Sequence, residues 1–439
     1  MSKRELHVGV IGLGGRGHSL LRDIMCGRDG VHIEAVCDLY TDRVDQGVAS
    51  VKEINGNTPL GFTDYKELLN LPNIDTVVIT AAWEAHIPVA VDAMRAGKAV
   101  ASEVGGAYSV EQCWDLVRAQ EETGMPCMML ENCCYGREEM MVLNMVKQGL
   151  FGQIVHCEGG YQHDLRNEIS FGRENRHYRL RNYMHRNCEN YPTHELGPIA
   201  KVLGINRGNR MVSLTSTASC ARGLNEYLKR EKGEDYDITN YPFAQGDVIN
   251  TVIRCAHGET IHLVLDTTLP RYYSRNFTVR GTKGMFREEN RSVFLDGVHN
   301  KYDFDWKPMW NNVEDYREEY EHPLWRKFLN DGVRGGHGGM DTLVFDAFFG
   351  ALQNGLPMPI DVYDMAAWMS ITALSEQSIA NGSTPVFFPD FTEGKWITNP
   401  PHVEWDFKIE NANLNVEVIE KLEAAIRARK EAAMSVSEN

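Results

Sequence analysis

A chain of 439 residues, 43% hydrophobic and 24% charged, is too long for one hydrophobic core and too balanced for disorder, so two domains are expected. A net charge of −16 argues against nucleic acid, which needs clustered Lys and Arg, and no apolar run is long enough to span a bilayer. Ten cysteines without a C-x-x-C pair give neither a disulfide framework nor a zinc pattern, which reads as reduced thiols in the cytoplasm and no metal site.

The N-terminus enters a strand-like run at once and leaves no room for a signal peptide; the sequence is silent on any leader removed before it. "LHVGVIGL" (6–13) reads as a strand, "GHSLLRDIMCG" (17–27) as a helix and "VHIEAVCDL" (31–39) as the next strand. A helix over 64–72 stops before Pro72, and the apolar run 74–82 suits a strand buried on both faces. A helix over 87–98 and a strand over 99–104 continue the alternation, which predicts an α/β Rossmann unit with a doubly wound parallel sheet.

Past about residue 130 the grammar changes. One amphipathic helix (138–152) precedes strands over 153–162, 210–219, 248–256, 259–268 and 275–288. Strands in runs with short turns imply an α+β unit with a large, mostly antiparallel sheet. Two long helices (340–355 and 362–382) follow, then a charged amphipathic helix over 415–439. The expected division is 1–130 for the Rossmann domain, 131–405 for the α+β domain and 406–439 for a helical tail. An exposed sheet face suits a homodimer or homotetramer.

"VGVIGLGGRGHSLL" sets Gly12, Gly14 and Gly17 in G-x-G-x-x-G register between a strand and a helix, with Gly15 and Arg16 inside the same loop. Gly12 allows the tight turn, Gly14 lets the backbone approach a pyrophosphate, and Gly17 allows close helix–sheet packing. Asp38 ends the second strand at the distance expected of a ribose ligand. It would accept from the ribose diol and repel a 2′-phosphate, so NAD is expected over NADP. The bland alternative is a glycine turn that binds nothing, and the full strand–loop–helix–acid context weighs against it.

That loop, "TAAWEAHIPVAVDAMRAGKAVASEV" (80–104) and the later sheet resemble the glucose–fructose oxidoreductase and inositol dehydrogenase superfamily over nearly the whole chain. Dehydrogenases of that superfamily carry Glu-Lys-Pro where this chain has Glu103-Val104-Gly105, so their catalytic lysine is missing. They also carry an aspartate four residues before the active-site histidine, where Asn190 precedes His194. The chain is more similar to glycoside hydrolase family 109, through residues 131–166, "NYPTHELGPIAKVLGINRGNRMVSLTSTAS" (190–219), "GHGGMD" (336–341), 359–368 and 374–391. That resemblance implies a bound, unconsumed NAD and hydrolysis of glycosides of N-acetylgalactosamine or related hexoses. It also implies the route: oxidation at C3, loss of the C2 proton, elimination of the C1 substituent, water addition and re-reduction.

The resemblance makes His194 the base for the C3 hydroxyl and Tyr191 a sugar contact, with Tyr161 and Tyr273 beside them. The C2 base stays open among the tyrosines, Tyr161 foremost. A phenol needs nearby cations to act as one, and His163, His177, His185 and Arg181 are candidates, of which His177, Arg181 and His185 would also contact the sugar. His337 and Asp341 of the glycine-rich stretch would reach a ligand, His337 on the sugar side. Trp83, His86, Glu103 and Asn132 stand at strand ends where open sheets bind cofactors. Against this, a loop histidine is often structural, strand-end tyrosines commonly pack with one polar tip, and the basic stretch 172–187 could simply solvate a loop. The rival functions are a sugar dehydrogenase that releases reduced cofactor, and a non-catalytic NAD- or sugar-binding protein.

Overall fold

The structure, a computed structural model, describes residues 4–299 and 307–400. The helix read over 415–439 lies outside the described residues. In the N-terminal unit, strands β1 (Leu6–Ile11), β2 (Val31–Cys37), β3 (Leu60–Phe62), β4 (Thr76–Ile79), β5 (Ala99–Ser102) and β6 (Cys127–Met129) pair in the order β3-β2-β1-β4-β5-β6. All five pairings are parallel. This is the dinucleotide-binding arrangement, whose order reverses beside β1 and opens a crevice at the strands' carboxyl ends.

Helices α1 (Gly15–Leu20), α2 (Thr41–Asn55), α3 (Tyr65–Leu69), α4 (Trp83–Arg95) and α5 (Val110–Thr123) make the crossovers. They cover both faces, which is why β4 and β5 are buried at every position. The helix expected over 17–27 starts earlier and widens: after Leu20 it becomes a π turn, Leu21–Met25, closed by Cys26 N–H donating to the Leu21 carbonyl at 2.9 Å.

Strands β7 (Ile154–Gln162), β8 (Met211–Ala218), β9 (Val248–Cys255), β10 (Thr260–Asp266), β11 (Thr278–Gly281), β12 (Gly284–Arg287), β13 (Ser292–Leu295) and β14 (Val386–Phe387) build the second sheet, ordered β13-β12-β11-β7-β10-β9-β8-β14. Every neighbouring pair is antiparallel except β7–β10, which is parallel. A parallel pair needs a long crossover. The chain between β7 and β10 supplies it with α7 (Arg166–Ser170), α8 (Arg179–His185), α9 (Thr193–Leu203) and α10 (Gly223–Lys232), after α6 (Arg137–Lys147) has led into the sheet. Short helices α11 (Arg317–Tyr320) and α12 (Pro323–Asp331) precede the long α13 (Met340–Asn354) and α14 (Val362–Ala380).

Two glycines of β7 set the packing behind the site. A Cβ on Gly159 would stand 2.5 Å from the Glu195 Cβ, and one on Gly160 would stand 2.1 Å from the Val264 carbonyl oxygen. Gly159 thus lets α9 lie directly on the sheet. The outer face stays open, with Val155 and Val252 exposed. No helix among the described residues is long and apolar enough to cross a membrane.

Candidate active site

A cavity of about 700 Å³ runs from the glycine loop to the first turn of α9. At its N-terminal end Gly12 has φ +100°, and a Cβ there would sit 2.4 Å from the Ala81 nitrogen. A Cβ on Gly17 would sit 2.1 Å from the Gly12 carbonyl oxygen. Gly14 and Gly15 instead face open space: the nearest atom to a Gly14 Cβ is Arg43 Nη1 at 3.7 Å, and nothing lies within 4 Å of one on Gly15. The loop is therefore packed tight behind and bare in front, as a diphosphate cradle requires. Asp38 is buried and held by backbone donors, Leu13 N–H at 2.7 Å and Tyr40 N–H at 3.0 Å. His86 on α4 donates to the Ala81 carbonyl through Nε2 (2.9 Å), while its buried Nδ1 has no hydrogen-bond partner among the described residues. These residues fit a dinucleotide.

Gly17→Ala should therefore push the loop off the sheet. We expect a loss of about 1–3 kcal/mol in thermal unfolding, as for an overpacked core, with weakened NAD binding by calorimetry. Parent-like melting and NAD affinity would refute the close-packing role.

Arg16 extends from the loop into a knot of side chains. It donates to Glu103 at 3.1 Å and makes a two-pronged pair with Asp341 of α13 at 2.7 and 2.8 Å. Asn132, in the short helical turn after β6, also donates to Asp341 (2.8 Å), and His337 Nδ1 lies 2.9 Å from it. Burial pushes the Asp341 carboxyl up, but Arg16 and His337 overcome this and hold it well below the usual range.

The reactive end is aromatic. His194 enters on the first turn of α9, with Pro192 at the N-cap, and its Nδ1 lies 2.8 Å from Glu131 Oε1. Glu131 follows β6, is fully buried and also accepts from Cys133 N–H at 3.1 Å. Burial pushes this carboxyl up, yet His194, with Thr193 and the Cys133 N–H, more than offsets it and holds the acid below its ordinary range. An Nδ1–H donated to a carboxylate leaves Nε2 as the basic nitrogen. Glu131, Cys133 and His194 have metal-ligand spacing, with donor atoms within 4.8 Å of one another. The 2.8 Å Glu131–His194 contact is itself a hydrogen-bond distance.

Tyr161 ends β7, and its hydroxyl lies 2.9 Å from His163 Nδ1. Its ring stands 4.4 Å from that of Tyr191 and 5.4 Å from His194, and Tyr191 stands 4.8 Å from His194. Tyr273 joins edge-on, 5.0 Å from His163 and 6.4 Å from Tyr161, because the next residue, Ser274, bridges to Gln162. Two residues on, buried Arg275 pairs with Glu139 and with Glu195 (3.2 Å), pinning the Tyr273 segment to α9 and α6. Burial pushes the Tyr161 phenol up to about 12, with Arg179 pulling the other way. Tyr191 is pushed well above its ordinary value by burial. His163 is lowered by burial and by Arg179, so it is neutral at physiological pH.

Residues 6–131 match the family model described as "Oxidoreductase family, NAD-binding Rossmann fold", and residues 135–398 match "Glycosyl hydrolase 109, C-terminal domain". The chain belongs to glycoside hydrolase family 109. It is 40% identical to a glycosyl hydrolase family 109 protein of Stenotrophomonas maltophilia, covering 92% of this chain and 93% of that one. It is 38% identical to an alpha-N-acetylgalactosaminidase of Tannerella forsythia, covering 90% and 88%. Scyllo-inositol dehydrogenase of Lactobacillus casei, solved with NAD(H) and scyllo-inositol, shares the fold with a TM-score of 0.59 at 14% identity, over 88% and 99% of the two chains.

The sequence-predicted residues of this family 109 hydrolase mostly converge. The glycine loop, Arg16, Asp38, His86, Glu103, Asn132, Tyr161, His177, Arg181, Tyr191, His194 and His337 all line the one cavity. Trp83 stands behind the lining, against Tyr178 and Tyr191. Arg181 is exposed and paired with Glu84 at the rim. His185 departs from expectation: it ends α8 exposed and outside the cavity lining, because one helical turn carries it away from Arg181. Glu131 and Arg179 were not singled out by sequence. Arg179 is the buried cation among the tyrosines, its guanidinium 4.8 Å from the Trp83 ring, 5.0 Å from Tyr191 and 5.9 Å from Tyr161.

Proposed function

We propose that the protein is a glycosidase of the α-N-acetylgalactosaminidase kind that works with a resident, unconsumed NAD. The observation that carries this reading is two separate proton-handling pairs in one cavity, Glu131–His194 and Tyr161–His163. A dehydrogenase needs one group to take the alcohol proton. Oxidation at C3 followed by elimination across C1 and C2 needs two, and both are here.

Bound NAD supplies the reversible oxidation of the sugar at C3. His194 Nε2 takes the C3 hydroxyl proton and later returns it, with Glu131 stabilising the imidazolium. The C3 ketone acidifies the C2 proton, which Tyr161 removes as its phenolate, the phenol's own proton having first passed to neutral His163 across their 2.9 Å contact. The C1–O bond then breaks with formation of a C1–C2 double bond, and water adds across it, hydroxyl to C1 and proton to C2. Tyr191 walls the sugar, whereas Tyr273, half exposed and outside the cavity lining, packs edge-on against Tyr161 and His163 from the solvent side. The carboxylates Glu84, Glu103 and Glu168 lining the cavity are each paired with an arginine.

The test uses the protein as purified, without added NAD, on aryl α- and β-glycosides of N-acetylgalactosamine, N-acetylglucosamine, galactose and glucose in deuterated water. Aglycone release with deuterium at C2 and no net reduction of cofactor is expected. Reduced cofactor accumulating on free sugar without any aglycone release would return the chain to the dehydrogenases.

A further inference from the structure

Two segments of the C-terminal domain cross the cofactor cavity and fasten to the Rossmann unit. On the Asp38 side, Arg176 makes a two-pronged pair with Asp42 at 2.9 and 2.7 Å, and Asn175 accepts from Arg43 at 3.3 Å. The Tyr40 ring is thereby gripped between two guanidinium groups, Arg176 at 4.4 Å and Arg43 at 4.9 Å. Tyr40, Arg43, Asn175 and Arg176 all line the cavity, at the end where Asp38 would meet the adenosine ribose. Arg176 holds φ +51°, so the segment takes a strained turn to reach across.

At the glycine-loop end the second segment, 332–339, behaves likewise. Gly332, Gly335, Gly338 and Gly339 have positive φ, and so does His337, at +50°. A Cβ on Gly339 would sit 2.4 Å from the Phe328 ring, and one on Gly336 would sit 2.6 Å from Asp341 Oδ2, so the tight path requires glycine. The turn carries His337 onto the cavity beside Gly14, Gly15 and Arg16. His337 Nδ1 is taken by Asp341, which leaves Nε2 available to a ligand.

We propose that these segments are two straps that keep the dinucleotide resident: 172–178 over its adenosine end, and 332–339 over its diphosphate, with His337 Nε2 as a diphosphate contact and not a sugar contact. Asp341 is the positioning residue of the second strap, because one buried carboxylate aligns Arg16, Asn132 and His337 together. The inference rests on NAD being the resident cofactor. It gives a physical reason for one nucleotide to serve many turnovers: leaving requires both fastenings to open, although neither touches the reacting sugar.

The experiment loads the full-length protein with radiolabelled NAD, chases with unlabelled NAD and follows loss of label, with no glycoside present. Its outcome is thus independent of the glycosidase reading. The parent should exchange slowly. Arg176→Ala, at an exposed pair, should exchange several-fold faster, and Arg176→Asp combined with Asp42→Arg should restore slow exchange. Asp341→Asn, which weakens a buried charged contact, should speed exchange by about tenfold or more, and His337→Ala, at an exposed side chain, should speed it several-fold. Melting of the cofactor-free variants separates this from unfolding. Parent-like exchange in both Arg176→Ala and His337→Ala, or rapid loss of label from the parent itself, would overturn the proposal.

Discussion

With His194 replaced by alanine, kcat on an aryl glycoside is expected to fall by about a thousandfold while NAD remains bound, the loss typical of a positioned acid–base group. The separation of effects follows from geometry. His194 stands among Tyr161, Tyr191 and Glu131, whereas the glycine loop, Asp38 and the Arg16–Asp341 knot, proposed to hold the cofactor, do not depend on it. Glu131→Gln should cost about a hundredfold for a different reason: an amide can donate to Nδ1, which moves the imidazole proton to Nε2 and spoils the base. Single-turnover rates and cofactor content after denaturation measure both effects. A His194→Ala protein as fast as its parent would remove the histidine from the chemistry.

The Rossmann unit was legible because its signals are local. Strands β1, β2, β4 and β5 are short and mostly apolar, and the glycine spacing is itself the geometry, since Gly12 and Gly17 are the positions where a Cβ would strike backbone. Helices α2 and α5 escaped the reading. In α2 the inward position 47 is glycine, which lets the helix close on Leu13 but breaks the apolar stripe that marks a helix in sequence. The prolines around His194 suggested a loop, yet Pro192 and Pro198 are both accommodated by α9, one at its cap and one within it.

The site was half visible for a related reason. His194, Tyr191 and Tyr161 carry chemistry in their side chains and stand near one another in sequence or at a strand end. Glu131 lies 63 residues before His194, and only the parallel sheet's last strand brings the two together. Arg179 was lost among the other basic residues of 172–187, which looked equally solvated. Folding sorts them: Arg176 and Arg181 take exposed partners, Asp42 and Glu84, while Arg179 is buried between Trp83 and the tyrosines. Between Arg179 and Arg181, half a turn of α8, and not composition, decides which arginine enters the aromatic cluster.

Arg179→Met should accordingly lower kcat/KM by about a hundredfold, since it removes a buried cation that faces the aromatic wall. The more telling result is in the pH profile. Tyr161 must shed its proton to act as a base, so activity rises with pH through the phenol's titration. Burial already raises that phenol to about 12, and among its neighbours Arg179 opposes the rise. With the guanidinium gone the phenol is raised further, and the rising limb should move to higher pH by at least about one pH unit, the scale of a unit charge near 6 Å in a partly shielded interior. Arg179→Lys keeps a positive charge on a flexible stem and should recover much of the limb's position but less of the rate, because an ammonium cannot lie flat across three rings. A limb that stays put in Arg179→Met, even with a lower rate, would mean that Arg179 serves packing or sugar contact alone and that the C2 proton leaves by another group.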